Sequence, residues 1–356
     1  MNALAHPAYD SLLDRLHTCA PNLDNGNFNH LPMVIEALHA LGLGYRAPAW
    51  IAEEESRFLP VMGPVEPIRA DNLAAALGQR TRFADWVIYF ADEIEAQGWI
   101  PVLDRWARRL APGYITAAVH GPVRTGHAVR ALRRADTLSR RTELAHALAA
   151  WAAMYRTLPG RQPASGLRAG SRPLRDVLET LPLVEARHRP QSGSISAGLL
   201  QIAGLDGFAA HIAGADLSGD PALRAEALIE VFLDLFVETV STPYSMVVFT
   251  HAVTGASAAR EMMAVTGERT GRALLAGAFG AGCALKAAFL PKTLPEALPA
   301  RTAMPDDSAQ HLSRRAEATR DDHAVKLTEA ALGAYLRTGN RSAIEASVRA
   351  IEAVSA

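Results

Sequence analysis

Apolar positions recur at three- and four-residue intervals along nearly the whole chain, the period of helices packed on a core. Residues 9–16 (Leu12, Leu13, Leu16) predict a short amphipathic helix, and 21–27 a polar turn. Asn29-His30-Leu31-Pro32 then opens an apolar helix over 33–41, with Pro32 in its first turn and Gly42 and Gly44 at its end. Residues 50–69 read as irregular and Pro-rich, 72–77 and 83–97 as helices, and 99–110 as an amphipathic helix broken by Pro112-Gly113. The segment 117–130 places His120, Arg124 and His127 at i, i+4 and i+7, with Gly121-Pro122 setting the helix start just after His120. Further helices are predicted over 142–155, near 173–181 and 199–212, over 221–240, 243–258 and 270–290, along 321–330, and over 341–353. The first half of 243–258 also fits a strand, because a short apolar run does not distinguish the two. Exposed loops are expected near 159–173 and 291–308, both rich in Pro. No hairpin signal, βαβ alternation or fixed-period repeat occurs. The expectation is an all-α fold: one large multi-helix domain over residues 1–356, with any functional site in the helical core.

Composition narrows the function classes. A hydrophobic content of 49% with 21% charged residues is that of a globular protein. A net charge of -1 and the lack of a basic arm argue against nucleic acid as a partner. The two cysteines, Cys19 and Cys283, form neither a disulfide framework nor a Cys-based metal motif. No signal-peptide pattern opens the chain, and the apolar run 273–284 is too short to span a bilayer, so the expected location is cytoplasmic, without a membrane. A homodimer is compatible with the sequence. The glycines of 277–282 miss the dinucleotide spacing, and no P-loop, His-Glu-x-x-His, Cys-x-x-Cys or nucleophile elbow occurs.

Histidine and lysine carry the remaining chemistry. Of twelve histidines, His30, His39, His120, His127, His251 and His323 stand in apolar surroundings at or within helices. A single buried imidazole is usually a hydrogen-bonded core residue. Several are costly to bury unless each finds a partner, whereas a shared metal satisfies them together. Imidazole-rich sites suit iron, zinc, copper or nickel. The chain has 36 basic residues, of which only Lys286, Lys292 and Lys326 are lysines. Unlike arginine, a buried lysine can become a neutral amine. His323 and Lys326 share a helical face. The plain alternative pairs Lys326 with Asp322 or Glu329.

Four motifs resemble the questin oxidase family. They are Asn29-His30-Leu31-Pro32 leading to Leu41-Gly42, then His120-Gly121-Pro122-Val123-Arg124 with Gly126-His127-Ala128-Val129-Arg130, then Phe249-Thr250-His251-Ala252-Val253-Thr254, and finally Asp322-His323-Ala324-Val325-Lys326. They occur in family order over nearly the full length. The resemblance implies an all-helical oxygenase acting on an aromatic polyketide such as an anthraquinone or hydroquinone, with O2, and ending in oxidative ring cleavage. It implies non-haem Fe(II) held by His30, His120, His251 and His323, with Lys326 as a carbon dioxide-derived carbamate. Fungal members carry His at the position of Arg124 and Tyr at that of His127. His127 is therefore expected behind the ligands or facing the substrate, and Arg124 either on an acidic group of the substrate or in an ion pair. Two alternatives stand beside this reading: an NADPH-using Baeyer–Villiger-type oxidase of the same family, and a metal-dependent hydrolase with Asp321 or Asp322 as a ligand. A non-catalytic helical binding protein is the third.

Overall fold

The computed structural model describes residues 6–159, 170–294 and 309–355. The chain is all-α, as its periodicity predicts. Its α-helices are α1 (His6–Leu16), α2 (Leu31–Ala40), α3 (Ala47–Glu54), α4 (Leu73–Ala76), α5 (Phe83–Gln97), α6 (Trp99–Leu110), α7 (His120–Arg134), α8 (Leu138–Ala153) and α9 (Leu174–Glu179). They continue as α10 (Ile195–Gly198), α11 (Phe208–Ala213), α12 (Pro221–Thr239), α13 (Pro243–Met263), α14 (Glu268–Phe289), α15 (Ala309–Ala318), α16 (Asp322–Thr338) and α17 (Ser342–Ser355). The expected loops near 159–173 and 291–308 lie largely outside the described residues.

Helix α13 is the hub, packed by α7, α12, α14, α16 and α17. Thr242 and Ser245 form a reciprocal capping box at its start, with Pro243 in the first turn. The cap commits this segment, readable as a strand, to helix. Small residues then let neighbours approach closely: a Cβ at Gly126 of α7 would sit 2.6 Å from Ala258 Cα. Helix α14 is long and apolar enough to cross a membrane by length and composition, and 83% of that window is buried inside the fold. Its glycines seat aromatic rings: a Cβ at Gly282 would lie 2.0 Å from Phe232 Cζ.

Several details depart from expectation: α3 extends to Glu54 into the stretch expected to be irregular, and α15 was not among the expected helices. Within the predicted turn and the irregular 50–69 stretch, β1 (Cys19–Leu23) pairs antiparallel with β2 (Phe58–Pro60), Cys19 opposite Pro60 and Leu23 opposite Phe58. Such a short ribbon is too brief to show a period-two signal, although Cys19, Pro21 and Leu23 do alternate inward. Helix α8 starts earlier than expected, at Leu138, after the N-cap Thr137, whose hydroxyl oxygen accepts the Arg140 N–H. The predicted 199–212 helix is divided into a 3-10 turn (Leu199–Gly204) and α11, separated by Gly207 at φ +73°.

Candidate metal centre

Three helices open onto one point. His30 is the N-cap of α2, His120 the first residue of α7, and His323 lies in the first turn of α16. His251 faces them from mid-α13. Prolines in the first turn of α2 and α7 remove donors that would otherwise need partners. Asn29 Oδ1 accepts the Leu31 N–H at 3.1 Å, and Asp321 Oδ1 accepts those of His323 at 2.9 Å and Ala324 at 2.8 Å. The entrances of α2 and α16 thus have donors met by their own neighbouring side chains.

His120 is the node. Its Nε2 lies 2.6 Å from His30 Nε2 and 3.0 Å from His251 Nε2. The His323 ring centroid is 4.9 Å from that of His30 and 5.2 Å from that of His251. His30, His120 and His323 each offer a ring nitrogen within 4.8 Å of the other two. Phe28 stacks on His120 at 4.9 Å and 10°, closing one face of the cluster.

The opposite ring nitrogens decide what this cluster can do. His30 Nδ1 meets Asp322 Oδ2, His120 Nδ1 the carbonyl of Ala117, and His251 Nδ1 the carbonyl of Val247 at 2.7 Å. A carbonyl only accepts, so the proton sits on Nδ1 and Nε2 keeps its lone pair. The His120 and His251 lone pairs therefore face each other at 3.0 Å with no proton between them. His323 Nδ1 is 2.5 Å from Asp322 Oδ1, and its buried Nε2 has no hydrogen-bond partner among the described residues. Converging lone pairs repel unless a cation joins them. Ligating histidines are held by their far nitrogen in this way. The residues fit a bound metal ion.

Electrostatics points the same way. Burial, above all, lowers the pKa of His120 and His251 well below that of a free imidazole, and neighbouring imidazoles and Lys326 push further. Burial brings His30 to about 4, against the opposing pull of Asp322. These rings are neutral, the form that binds metal. Burial would raise the Asp322 carboxyl, but His30, His323 and Lys326 outweigh it and hold Asp322 well below the usual range.

Lys326, three residues beyond His323, is 2% exposed, and burial lowers its pKa. Both partners that a plain surface reading would assign to it are engaged elsewhere. Asp322 holds two imidazoles, and Glu329 pairs with Arg130. No hydrogen bond or salt bridge to Lys326 forms among the described residues.

Arg124 and His127 stand apart from the cluster. Arg124, weighed from the sequence between a substrate anchor and an ion pair, makes the ion pair: Nε and Nη2 donate to Glu143 at 2.7 and 2.9 Å. Burial would raise Glu143, but Arg124 and His17 outweigh it and hold that carboxyl at about 2. His127 Nδ1 lies 2.7 Å from Glu36 Oε2, within a network of the buried Glu36 and Glu329, the partly buried Arg130 and the exposed Arg134. Among the described residues, no hydrogen bond or ring contact joins Arg124 or His127 to the four clustered imidazoles. His39, the sixth candidate, bonds the Ile35 carbonyl and packs on Tyr9.

The sequence did not reveal Asp322 as a shared grip on two imidazoles, Phe28 as the cover of His120, or the Glu36 network. The adjacency of Asp322 to His323 was the one available signal, and it reads equally as a ligand or a cap.

Fold and site define an all-helical protein organised around a cluster of histidines in its core. A model of the questin oxidase-like family matches residues 28–331, and the chain belongs to that family. No curated relative matches it. Membership implies an oxidoreductase, an oxidase of aromatic polyketides.

Proposed function

We propose that the chain is a non-haem iron oxygenase that cleaves a ring of an aromatic polyketide, such as an anthraquinone or its hydroquinone, using O2. One observation carries this reading: Nε2 lone pairs of buried neutral histidines converge while their Nδ1 atoms are held by acceptors. His30, His120, His251 and His323 would hold the iron, which supplies the oxygen chemistry that protein side chains lack. A hydrolase would draw on carboxylate ligands, but Asp321 is spent on capping α16 and Asp322 on orienting imidazoles.

Lys326 completes the set as a carbamate. Burial favours its neutral amine, whose lone pair forms an N–C bond to carbon dioxide as a proton leaves. A cation that repels iron becomes an anionic oxygen donor. The positive ends of α2, α7 and α16 face the same point, and they favour an anionic ligand. Phe28 and the apolar walls exclude water, and Asp322 keeps the His30 and His323 protons on Nδ1. Arg124 and His127 act through their carboxylates, fixing α7 to its neighbours rather than touching the substrate. NADPH, should turnover need it, serves as an external reductant.

Lys326→Ala tests the reading. Turnover of a hydroquinone substrate under oxygen is expected to fall to background with helicity unchanged, and formate or acetate to restore part of it. Full activity of Lys326→Ala without added carboxylate contradicts the carbamate.

A further inference from the structure

Four non-glycine residues among those described have positive φ, and all lie within three residues of the candidate ligands. Ala117 (50°), Ala118 (56°) and Val119 (74°) run directly into His120, and Arg320 (55°) precedes Asp321. A left-handed conformation is costly for a non-glycine residue, and a β-branched one is the least tolerant. Glycine would adopt the same backbone freely, so a valine at 119 calls for a reason in its side chain.

The reason lies on α13. Val119 is buried, and a Cβ built on Gly255 would sit 2.8 Å from Val119 Cγ1. The valine fills the space that the glycine leaves open. The Gly255 carbonyl is held as well, accepting from the Tyr114 hydroxyl at 2.9 Å. Tyr114 is itself braced on α14, where a Cβ at Gly277 would meet its ring at 2.7 Å. Gly255 is four residues beyond His251, one turn along the same face of α13. Val119 immediately precedes His120. The contact thus lies one turn from the 3.0 Å approach of the two Nε2 atoms. The same left-handed turn brings the Ala117 carbonyl back onto His120 Nδ1. Strain of this kind persists where the surroundings over-determine it, typically at functional sites.

We propose that Val119 seated on Gly255 sets the spacing and pitch of the His120 and His251 nitrogens, making both positioning residues of the metal centre. The inference rests on the metal reading above and adds two residues that touch neither metal nor substrate. Misplaced supports of this kind lower metal affinity about ten- to a hundredfold.

The test compares wild type, Gly255→Ala, Val119→Ala and the Val119→Ala/Gly255→Ala double variant under argon. Fe(II) affinity is read by chelator competition, Co(II) geometry by its visible spectrum, and folding by circular dichroism and melting temperature. Gly255→Ala is expected to lose ten- to a hundredfold in affinity and shift the Co(II) spectrum while remaining helical. The double variant, which returns the space, is expected to recover most of that loss. A folded Gly255→Ala with wild-type affinity and spectrum overturns the inference, as does a double variant no better than Gly255→Ala. Should Gly255→Ala fail to fold, Val119→Ala decides: looser binding than both wild type and the double variant supports the contact, and equal affinity in all three overturns it. A wild-type chain that takes up neither metal refutes the metal reading itself, a result distinct from all of these.

Discussion

Helices α2, α7 and α16 each contribute to two buried polar layers, and the layers are opposites. The first holds His30, His120, His323 and Lys326; the second, one to two turns along, holds Glu36, His127, Arg130 and Glu329. In the second, every charge is answered: Glu36 faces His127, Arg130 and Arg134, and Arg130 also faces Glu329. In the first, the Nε2 atoms of His30 and His251 face that of His120. His120 and His127 are seven residues apart on one helix and look alike in sequence. What separates them is the group held by Nδ1, a backbone carbonyl in one case and a carboxylate in the other. The charged layer ties helices together, while the imidazole layer brings ring nitrogens to one point.

Opposite responses to mutation follow. His120→Ala removes the node of the imidazole layer. Metal uptake and turnover are expected to disappear, while urea unfolding of the metal-free protein shows unchanged or increased stability because crowded lone pairs are relieved. A large loss of apo stability would instead make His120 an ordinary core residue. Glu36→Gln strips the charged layer of its shared anion and leaves Arg130, Arg134 and His127 facing each other. Breaking a buried pair costs about 3–5 kcal/mol, so this variant is expected to unfold at much lower urea while still binding metal when folded. Undiminished stability would show that the network does not brace α2, α7 and α16.

Acid separates the layers more finely. A free histidine titrates near pH 6.5, whereas burial holds His30 at about 4 and His146 at about 3. Between those limits the unfolded chain binds protons that the folded chain refuses, so apo stability falls as pH drops below about 6.5. Glu36 behaves differently. Burial opposes its charge, but Arg130 and His127 outweigh burial and set its pKa below the usual value, so its contribution is lost only below the ordinary carboxylate range. Metal competes with protons for His30 and its neighbours. Loading is expected to raise stability while keeping the fall below about pH 6.5 and carrying it below about pH 4, because metal-bound imidazoles take up no protons there and the unfolded chain does. Identical acid unfolding curves with and without metal would contradict the assignment of His30.

Much of this was legible in the sequence, and the limits have physical causes. Helical periodicity and boundary residues such as Pro32, Gly42 and Pro112 marked most elements, because they report local backbone preferences. The short ribbon of Cys19–Leu23 with Phe58–Pro60 was not legible, since its pairing joins distant segments. The candidate ligand histidines stood out by motif, whereas their grouping depends on contacts such as His30 with Asp322, 292 residues apart. The left-handed turn before His120 left no mark, because alanine and valine are the residues least associated with that conformation.

The central claim is that the histidine cluster holds iron, and metal content of freshly purified, anaerobically handled protein tests it most directly, with His323→Ala as control. About one iron per chain, lost in His323→Ala, is the expected result for a site with one convergent imidazole set. Protein that contains no metal and takes up none on reconstitution would contradict the account and leave the histidines as core residues.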